Sequence, residues 1–255
     1  MKLGFIGCGT ITAAIVTGLN SSGHEEAIAV SPRNAEVAAG LARRFTNVTV
    51  AATNQRVLDA CDVAVLAVRP QILATVLPEL QFRPDHQVIS LVPITSLAHL
   101  RAATAPASAV TRAVPMPMVA RRQGPTAIYG ATPVARRLFD ALGSTIELTD
   151  EKCFDAFTTE TALMATYFRL LETAATWLQA QGVAPDQADR YVRQLFWGLA
   201  GTAMAATQRS IGELIEEHQT RGGLNEQLRT HLESKGMFTE LTHALDAVQA
   251  RLTGR

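Results

Sequence analysis

Lys2-Leu3-Gly4-Phe5-Ile6-Gly7-Cys8-Gly9-Thr10-Ile11-Thr12-Ala13-Ala14-Ile15-Val16-Thr17-Gly18-Leu19 is the stretch whose reading decides the fold. Lys2 to Ile6 is short and mostly apolar, the length of a buried strand, and Ala13 to Leu19 reads as a helix with one apolar face. Two glycines, Gly7 and Gly9, lie between them. Strand, glycine turn and helix in immediate succession are the context a dinucleotide fingerprint requires. Gly7 permits the tight turn. Gly9 has no side chain, so a pyrophosphate can approach the backbone, where a helix start offers N–H donors and a positive dipole. The third small position of the fingerprint is Thr12, which either spaces helix from strand slightly more widely or caps the helix with its hydroxyl. An ordinary strand–turn–helix would use the same glycines for geometry alone, and the rest of the chain separates the two readings.

Working outward, short apolar runs alternate with helical pieces as far as Leu148. Strands are expected at Ala27–Val30, Val48–Val50, Asp62–Val68, Val88–Val92, Ala109–Val114, Gly124–Gly130 and Ser144–Leu148. Helices are expected near Ala35–Arg44, Asn54–Ala60, Gln71–Leu80, Leu97–Ala103 and Val134–Leu142. Asp62–Val68 is nearly all apolar, as parallel strands covered on both faces are. This alternation gives an α/β class with a doubly wound Rossmann-type sheet. Ligands bind at the carboxyl ends of such strands. Those ends are the Gly7 turn, Ser31–Asn34, Val68–Gln71, Val92–Pro93 and Val114–Met116. The end of the second strand faces the adenosine ribose. A carboxylate there would favour NAD, and Ser31 with Arg33 instead points to NADP(H).

After Asp150 the strand-like runs stop. Helical spacing runs from Glu151 to Gln181, Gly182 and Pro185 break it, and further helices follow at Asp186–Gln208, Ile211–Glu217 and Phe238–Leu252, with a loop at Thr220–Gln227 leading into another helix. The division expected is a cofactor-binding domain over residues 1–150 and an all-α domain over 151–255. The Ala-rich helices, with Trp177 and Trp197, suit helix packing and a homo-oligomer interface.

Composition narrows the class. Of 255 residues, 47% are hydrophobic and 18% charged, which places the chain among globular proteins. Basic and acidic residues balance at 23 each, so nothing favours a nucleic-acid partner. Cys8, Cys61 and Cys153 are too widely spaced for a metal motif or a disulfide framework, which fits a reducing cytoplasm. The chain opens directly on a strand, so no signal peptide is expected, and no apolar run is long enough to predict a membrane span.

The order of these landmarks resembles the pyrroline-5-carboxylate reductase family over almost the whole chain. Phe5-Ile6-Gly7-Cys8-Gly9-Thr10-Ile11-Thr12-Ala13-Ala14-Ile15 is similar to that family's F-I-G-G-G-N-M-A-x-A-I, and Ala67-Val68-Arg69-Pro70-Gln71 to its A-V-K-P-Q. Asn54 stands where the family has an Asn near the cofactor. Arg112-Ala113-Val114-Pro115 resembles R-x-M-P, and the Gly222-Gly223 pair resembles that in S-P-G-G-T-T. The resemblance implies a Rossmann domain, a helical domain that interlocks two subunits, and hydride transfer from NAD(P)H to the C=N carbon of a cyclic imino acid, giving proline. It places Gly7, Gly9, Thr10, Ile11, Ser31, Arg33, Asn54, Val68 and Pro70 on the cofactor.

Departures fall on the substrate side. Met116 stands for the family's Asn after M-P, and Thr161-Ala162-Leu163-Met164-Ala165-Thr166-Tyr167 for its S-G-S-G-P-A-Y. Leu224-Asn225 stands for its Thr pair, and Gln194-Leu195 for its Gln-Thr. Gly222 and Gly223, with the backbone N–H groups that follow them at a helix start, can still bind a carboxylate, and Leu224 and Met116 then line the pocket. Asn225, Thr166 and Tyr167 are the candidate donors to the reacting imine. Arg112 either binds an anionic substrate or is structurally paired, and Arg221 is a second cation beside the glycines. Loss of hydroxyl donors also admits a reductase of another imine or 2-oxo acid, or a non-catalytic NADP-binding protein.

Overall fold

The structure is a computed structural model that describes residues 1–254. In chain order the first compact unit contains β1 (Leu3–Ile6), α1 (Thr10–Ser21), β2 (Ile28–Val30), α2 (Ala35–Arg44), β3 (Val48–Val50), α3 (Asn54–Asp59) and β4 (Val63–Leu66). There follow α4 (Pro70–Val76), β5 (Gln87–Ser90), α5 (Leu97–Ala103), β6 (Ala109–Val114), β7 (Gly124–Tyr129), α6 (Pro133–Asp140), β8 (Gly143–Leu148) and α7 (Glu151–Glu160). All eight strands form one sheet in the order β3-β2-β1-β4-β5-β6-β7-β8. From β3 to β6 every pairing is parallel, so the order reverses between β1 and β4, the topological switch point of a doubly wound sheet. β7 runs antiparallel to β6, and β8 is parallel to β7. The link from β6 to β7 carries only the 3₁₀ turn Pro117–Arg121, closed by Arg122 at φ 58°. A parallel return needs a crossover of roughly a dozen residues or more, so the strand turns back.

β1 and β4 are buried end to end, because helices cover both faces of the sheet. On one face Phe5, Ile15, Leu19, Leu138 and Phe139 pack together from β1, α1 and α6. On the other, Ile6, Leu58, Leu66, Leu73 and Leu100 join β1 and β4 to α3, α4 and α5. Gly7 is held at φ 107°, and a Cβ on it would lie 2.4 Å from the Ala67 carbonyl oxygen. The turn therefore lies directly on the backbone that leaves β4.

Several elements differ from expectation. α1 starts at Thr10, three residues earlier than the periodicity suggested, so Thr10, Ile11 and Thr12 form its first turn. The helix expected over Gln71–Leu80 is α4 followed by a 3₁₀ turn at Leu77–Glu79, because Pro78 cannot continue an α-helical ladder. The single long helix expected over Glu151–Gln181 is two helices. α7 ends at Glu160, and α8 (Leu163–Ala180) begins after Thr161 and Ala162. No Gly or Pro marks the break. Thr158 and Thr159 donate their hydroxyls to the carbonyls of Phe154 and Asp155, at 2.9 and 3.0 Å, in the last turns of α7.

Met1–Thr159 with residues 251–254 form one compact unit, and Glu160–Ala250 form a second. That unit holds α8, α9 (Pro185–Ala205), α10 (Ile211–Glu217), α11 (Leu224–Ser234) and most of α12 (Met237–Thr253). α10 opens on a capping box between Ser210 and Glu213. α8 and α9 pack on one another around Ala175, Ala188 and Val192, the buried apolar cluster of this unit. Tyr191, Leu199, Met204 and Trp177 are exposed, and Trp197 is 79% exposed.

Candidate active site

The glycine turn is held by two side-chain hydrogen bonds. Thr12, fully buried in the first turn of α1, donates its hydroxyl to the Gly7 carbonyl at 2.9 Å. It does not cap the helix; it closes the loop from inside. The Gly7 N–H donates to Ser31 Oγ at 3.0 Å. Ser31 Oγ also lies 3.0 Å from the Phe5 carbonyl and 2.7 Å from Asn54 Oδ1, and its one proton serves either of them. Gly7, Ser31, Asn54 and Ala67 are thus brought together at the carboxyl ends of β1, β2 and β4. Ser31 is buried and its hydroxyl engaged within the fold, while Asn54 opens α3 and is half-buried.

Gly9 is different. It is the N-cap of α1, no side chain caps the helix there, and a Cβ placed on it would meet nothing within 4 Å. The first-turn N–H groups of a helix have no intrahelical partner, so they are left to solvent or an anion. No acidic side chain lies in that turn. Thr10 is exposed and Ile11 half-buried beside the opening. Val68 and Pro70 are half-buried just past β4, with Pro70 at the start of α4. Arg33 is exposed after β2, and among the described residues it joins no ion pair. This arrangement fits a nucleotide pyrophosphate over Gly9.

Thiol chemistry is not built into the turn. Burial pushes the Cys8 thiol above its ordinary range, and Cys61 is pushed up to about 12 by burial, so neither supplies a thiolate near neutrality. Among the described residues no cluster of His, Cys, Asp and Glu is arranged to hold a metal.

Arg112 is structurally paired. Its guanidinium donates to Glu151 Oε1 at 2.8 Å, Asp155 Oδ1 at 3.0 Å and the Pro93 carbonyl at 2.5 Å, and it lies 4.3 Å from the centre of the Phe154 ring. Glu151 and Asp155 went unnoticed in the sequence. Their signal is an acidic pair at i, i+4 on one helix face, opposite a buried Arg.

The substrate-side candidates fall into separate places. Met116 is half-buried at the start of the 3₁₀ turn after β6. Thr166 and Tyr167 lie on an exposed part of α8, where the Tyr167 ring meets Phe168 and, across to α9, Phe196. Gly222, at φ 73°, and Gly223 lead into α11, with Leu224 84% exposed at its start. Asn225 donates its amide to the His218 carbonyl at 2.6 Å, and the Gly222 N–H donates to Glu226 at 2.6 Å. Among the described residues no hydrogen bond links Asn225 to Thr166 or Tyr167, and Arg221 joins no ion pair.

Residues 2–93 match the family model described as NADP oxidoreductase, coenzyme F420-dependent. Residues 151–254 match the model for pyrroline-5-carboxylate reductase dimerisation. Along its length the chain is 28% identical to the pyrroline-5-carboxylate reductase of Pseudomonas aeruginosa, covering 98% of this chain and 95% of that one. From end to end the chain is similar to pyrroline-5-carboxylate reductases. Pyrroline-5-carboxylate reductase 2 of Bos taurus is 27% identical over 97% of the chain and 81% of its own length. The 1-pyrroline-5-carboxylate reductase of Streptococcus pyogenes superposes with a TM-score of 0.85 at 25% identity, covering 100% and 99% of the two chains. A reductive aminase from Aspergillus terreus, solved with NADPH, shares the fold at a TM-score of 0.62 and 17% identity, covering 99% and 91%. These likenesses make the chain an oxidoreductase with a dinucleotide-binding sheet and a region that matches a dimerisation model. No helix among its described residues is long and apolar enough to cross a membrane.

Proposed function

We propose that this chain reduces pyrroline-5-carboxylate to proline with NADPH. The observation that carries the reading is the open backbone over Gly9 at the β1/β4 switch point, in a chain whose full-length relatives are named for that reduction. The bound cofactor supplies a hydride to the C=N carbon. The chain's task is to hold the two reacting carbons together and to keep water away. Gly7, Gly9, Thr10 and Ile11 cradle the pyrophosphate, with Ser31 and Asn54 fixing the turn behind it. Val68 and Pro70 border the cleft beyond β4. Arg33, with no carboxylate at the end of β2, selects the 2′-phosphate of NADP(H) over the free hydroxyl of NAD(H).

On the substrate side, Gly222 and Gly223, whose own N–H groups are held by Glu226 and the Thr220 carbonyl, lead the chain into α11, whose first-turn N–H groups would receive the imino-acid carboxylate, with Leu224 and Met116 as apolar lining. The Asn225 amide, Thr166 and Tyr167 are the groups proposed to hydrogen-bond the imine nitrogen. The functional division is cofactor binding by residues 1–150 and dimerisation and substrate binding by 151–255. Two copies pair through the helices that leave Trp197 and Met204 exposed, since a unit with so small a buried cluster has apolar surface left to cover. The absence of a metal or disulfide cysteine pattern supports work in the cytoplasm.

The test is NADPH oxidation followed by nicotinamide absorbance, with pyrroline-5-carboxylate as substrate, for the wild type and Asn225→Ala. Turnover that falls in the variant supports the reading. A wild type that binds NADPH yet leaves it unoxidised rejects this substrate and directs the search to other imines and 2-oxo acids.

A further inference from the structure

We propose that Arg112 is a positioning residue for the nicotinamide half of the cofactor cleft, and that it acts by presenting Ile94. The inference rests on the NADPH reading above. A doubly wound sheet binds a dinucleotide with two mononucleotide halves, and the ribose-reading position at the end of β2 assigns β1–β3 to adenosine. The half formed by β4–β6 then takes nicotinamide. At the carboxyl end of β5 the chain runs Val92-Pro93-Ile94-Thr95-Ser96 before α5 begins at Leu97.

One cluster, with Arg112 buried and its two carboxylates half-buried, holds both ends of this connection. The Arg112 guanidinium donates to the Pro93 carbonyl at 2.5 Å. Glu151 Oε1, which accepts from Arg112 at 2.8 Å, also accepts the Leu97 N–H at 2.7 Å. Between these fixed points Ile94 is 56% exposed, a large apolar side chain in a turn at the strand ends. Such a side chain suits the face of a nicotinamide ring.

The cluster is not an obvious device for stability alone. The Arg112 side chain is 3% exposed, its Nε is buried without a hydrogen-bond partner, and two carboxylates face one cation. Buried ion pairs of this kind are often replaceable by apolar residues without loss of stability. What apolar residues cannot do is hold a carbonyl and, through a carboxylate, an N–H in fixed positions. Arg112 does both with one planar fork.

The experiment compares wild type, Arg112→Lys and Ile94→Ala, each as the full chain. NADPH is titrated while the emission of the bound reduced nicotinamide is recorded, and kcat with pyrroline-5-carboxylate and the thermal midpoint are measured alongside. Ile94 is exposed, so its variant keeps the wild-type midpoint. Both variants are expected to bind NADPH within about threefold of wild type, because the pyrophosphate and adenosine contacts are intact. In both, the bound emission moves towards that of free NADPH and kcat falls at least about fivefold. A variant of either kind that keeps wild-type emission and kcat overturns the proposal, including an Arg112→Lys that loses only thermal stability. If wild type binds NADPH but does not reduce pyrroline-5-carboxylate, the substrate reading fails while the emission still decides the role of Arg112. If wild type binds no NADPH, both readings fall.

Discussion

Replacing Gly9 by Ala separates a glycine kept for a ligand from one kept for the fold. Gly9 has φ −106° and ψ −166°, an extended conformation open to any residue, and a new Cβ would meet nothing within 4 Å. The folded state accepts the methyl group, and the unfolded chain loses freedom, so Gly9→Ala is expected to be unchanged or stabilised by about 0.4–1 kcal/mol. Gly7→Ala is the internal comparison. There φ is 107° and the Cβ would lie 2.4 Å from the Ala67 carbonyl oxygen, so strain and a backbone clash together cost at least about 3 kcal/mol. Cofactor binding should fall in Gly9→Ala even though its fold is kept. A methyl on Gly9 occupies the space in which a pyrophosphate accepts from the first-turn N–H groups. Losing one charge-assisted hydrogen bond costs about 1.5–3 kcal/mol, or roughly ten- to a hundredfold in NADPH affinity. Urea denaturation gives the stabilities and NADPH titration the affinities. A Gly9→Ala protein that binds NADPH as tightly as wild type would refute the reasoning. So would one that is destabilised as much as Gly7→Ala.

Three further outcomes follow from other parts of the molecule. His86 is buried, and desolvation with the nearby Arg83 charge lowers its pKa below 6.5 in the folded state. The unfolded chain therefore takes up the proton first, so this contribution to stability is present above about pH 6.5 and is lost as pH falls through the lowered folded value. His86→Gln should flatten the fall in urea midpoint between about pH 7 and pH 5, and an unchanged slope would count against the assignment. In the folded protein at neutral pH, Cys61, whose pKa is about 12, and the buried Cys8 should resist alkylation that reaches them once the chain is unfolded, as peptide mass mapping would show. Trp197→Glu places a charge on a side chain that is 79% exposed, so it should leave the chain folded by circular dichroism while shifting light-scattering mass from dimer to monomer; an unaltered dimer would remove this face from the interface.

The first half of the chain was legible because its signals are local. A buried strand, two glycines and a helix need no distant partner to be read, and the apolar runs at β4, β5 and β6 follow from burial on both faces. The reversal of β7 was not legible, since it depends on the short Pro117–Arg121 link failing to make a crossover. The role of Ser31 was legible only in part. Its position at the end of β2 points to the ribose, while its hydroxyl bonds back to Gly7 through the parallel pairing of β1 with β2, which a sequence does not display. Arg112 shows the same limit: its partners lie 39 and 43 residues away, and only the fold brings that acidic pair to β6. The break between α7 and α8 has no Gly or Pro to announce it, and the threonine back-bonds before it also occur inside the unbroken α8 and α9.

Direct hydride transfer from NADPH to a cyclic imino acid is tested with pyrroline-5-carboxylate and NADPH carrying deuterium at the transferable position of the nicotinamide. Proline with one deuterium on the former imine carbon is expected, formed as one NADPH is consumed. Proline without deuterium, or NADPH consumed with no proline formed, would contradict it.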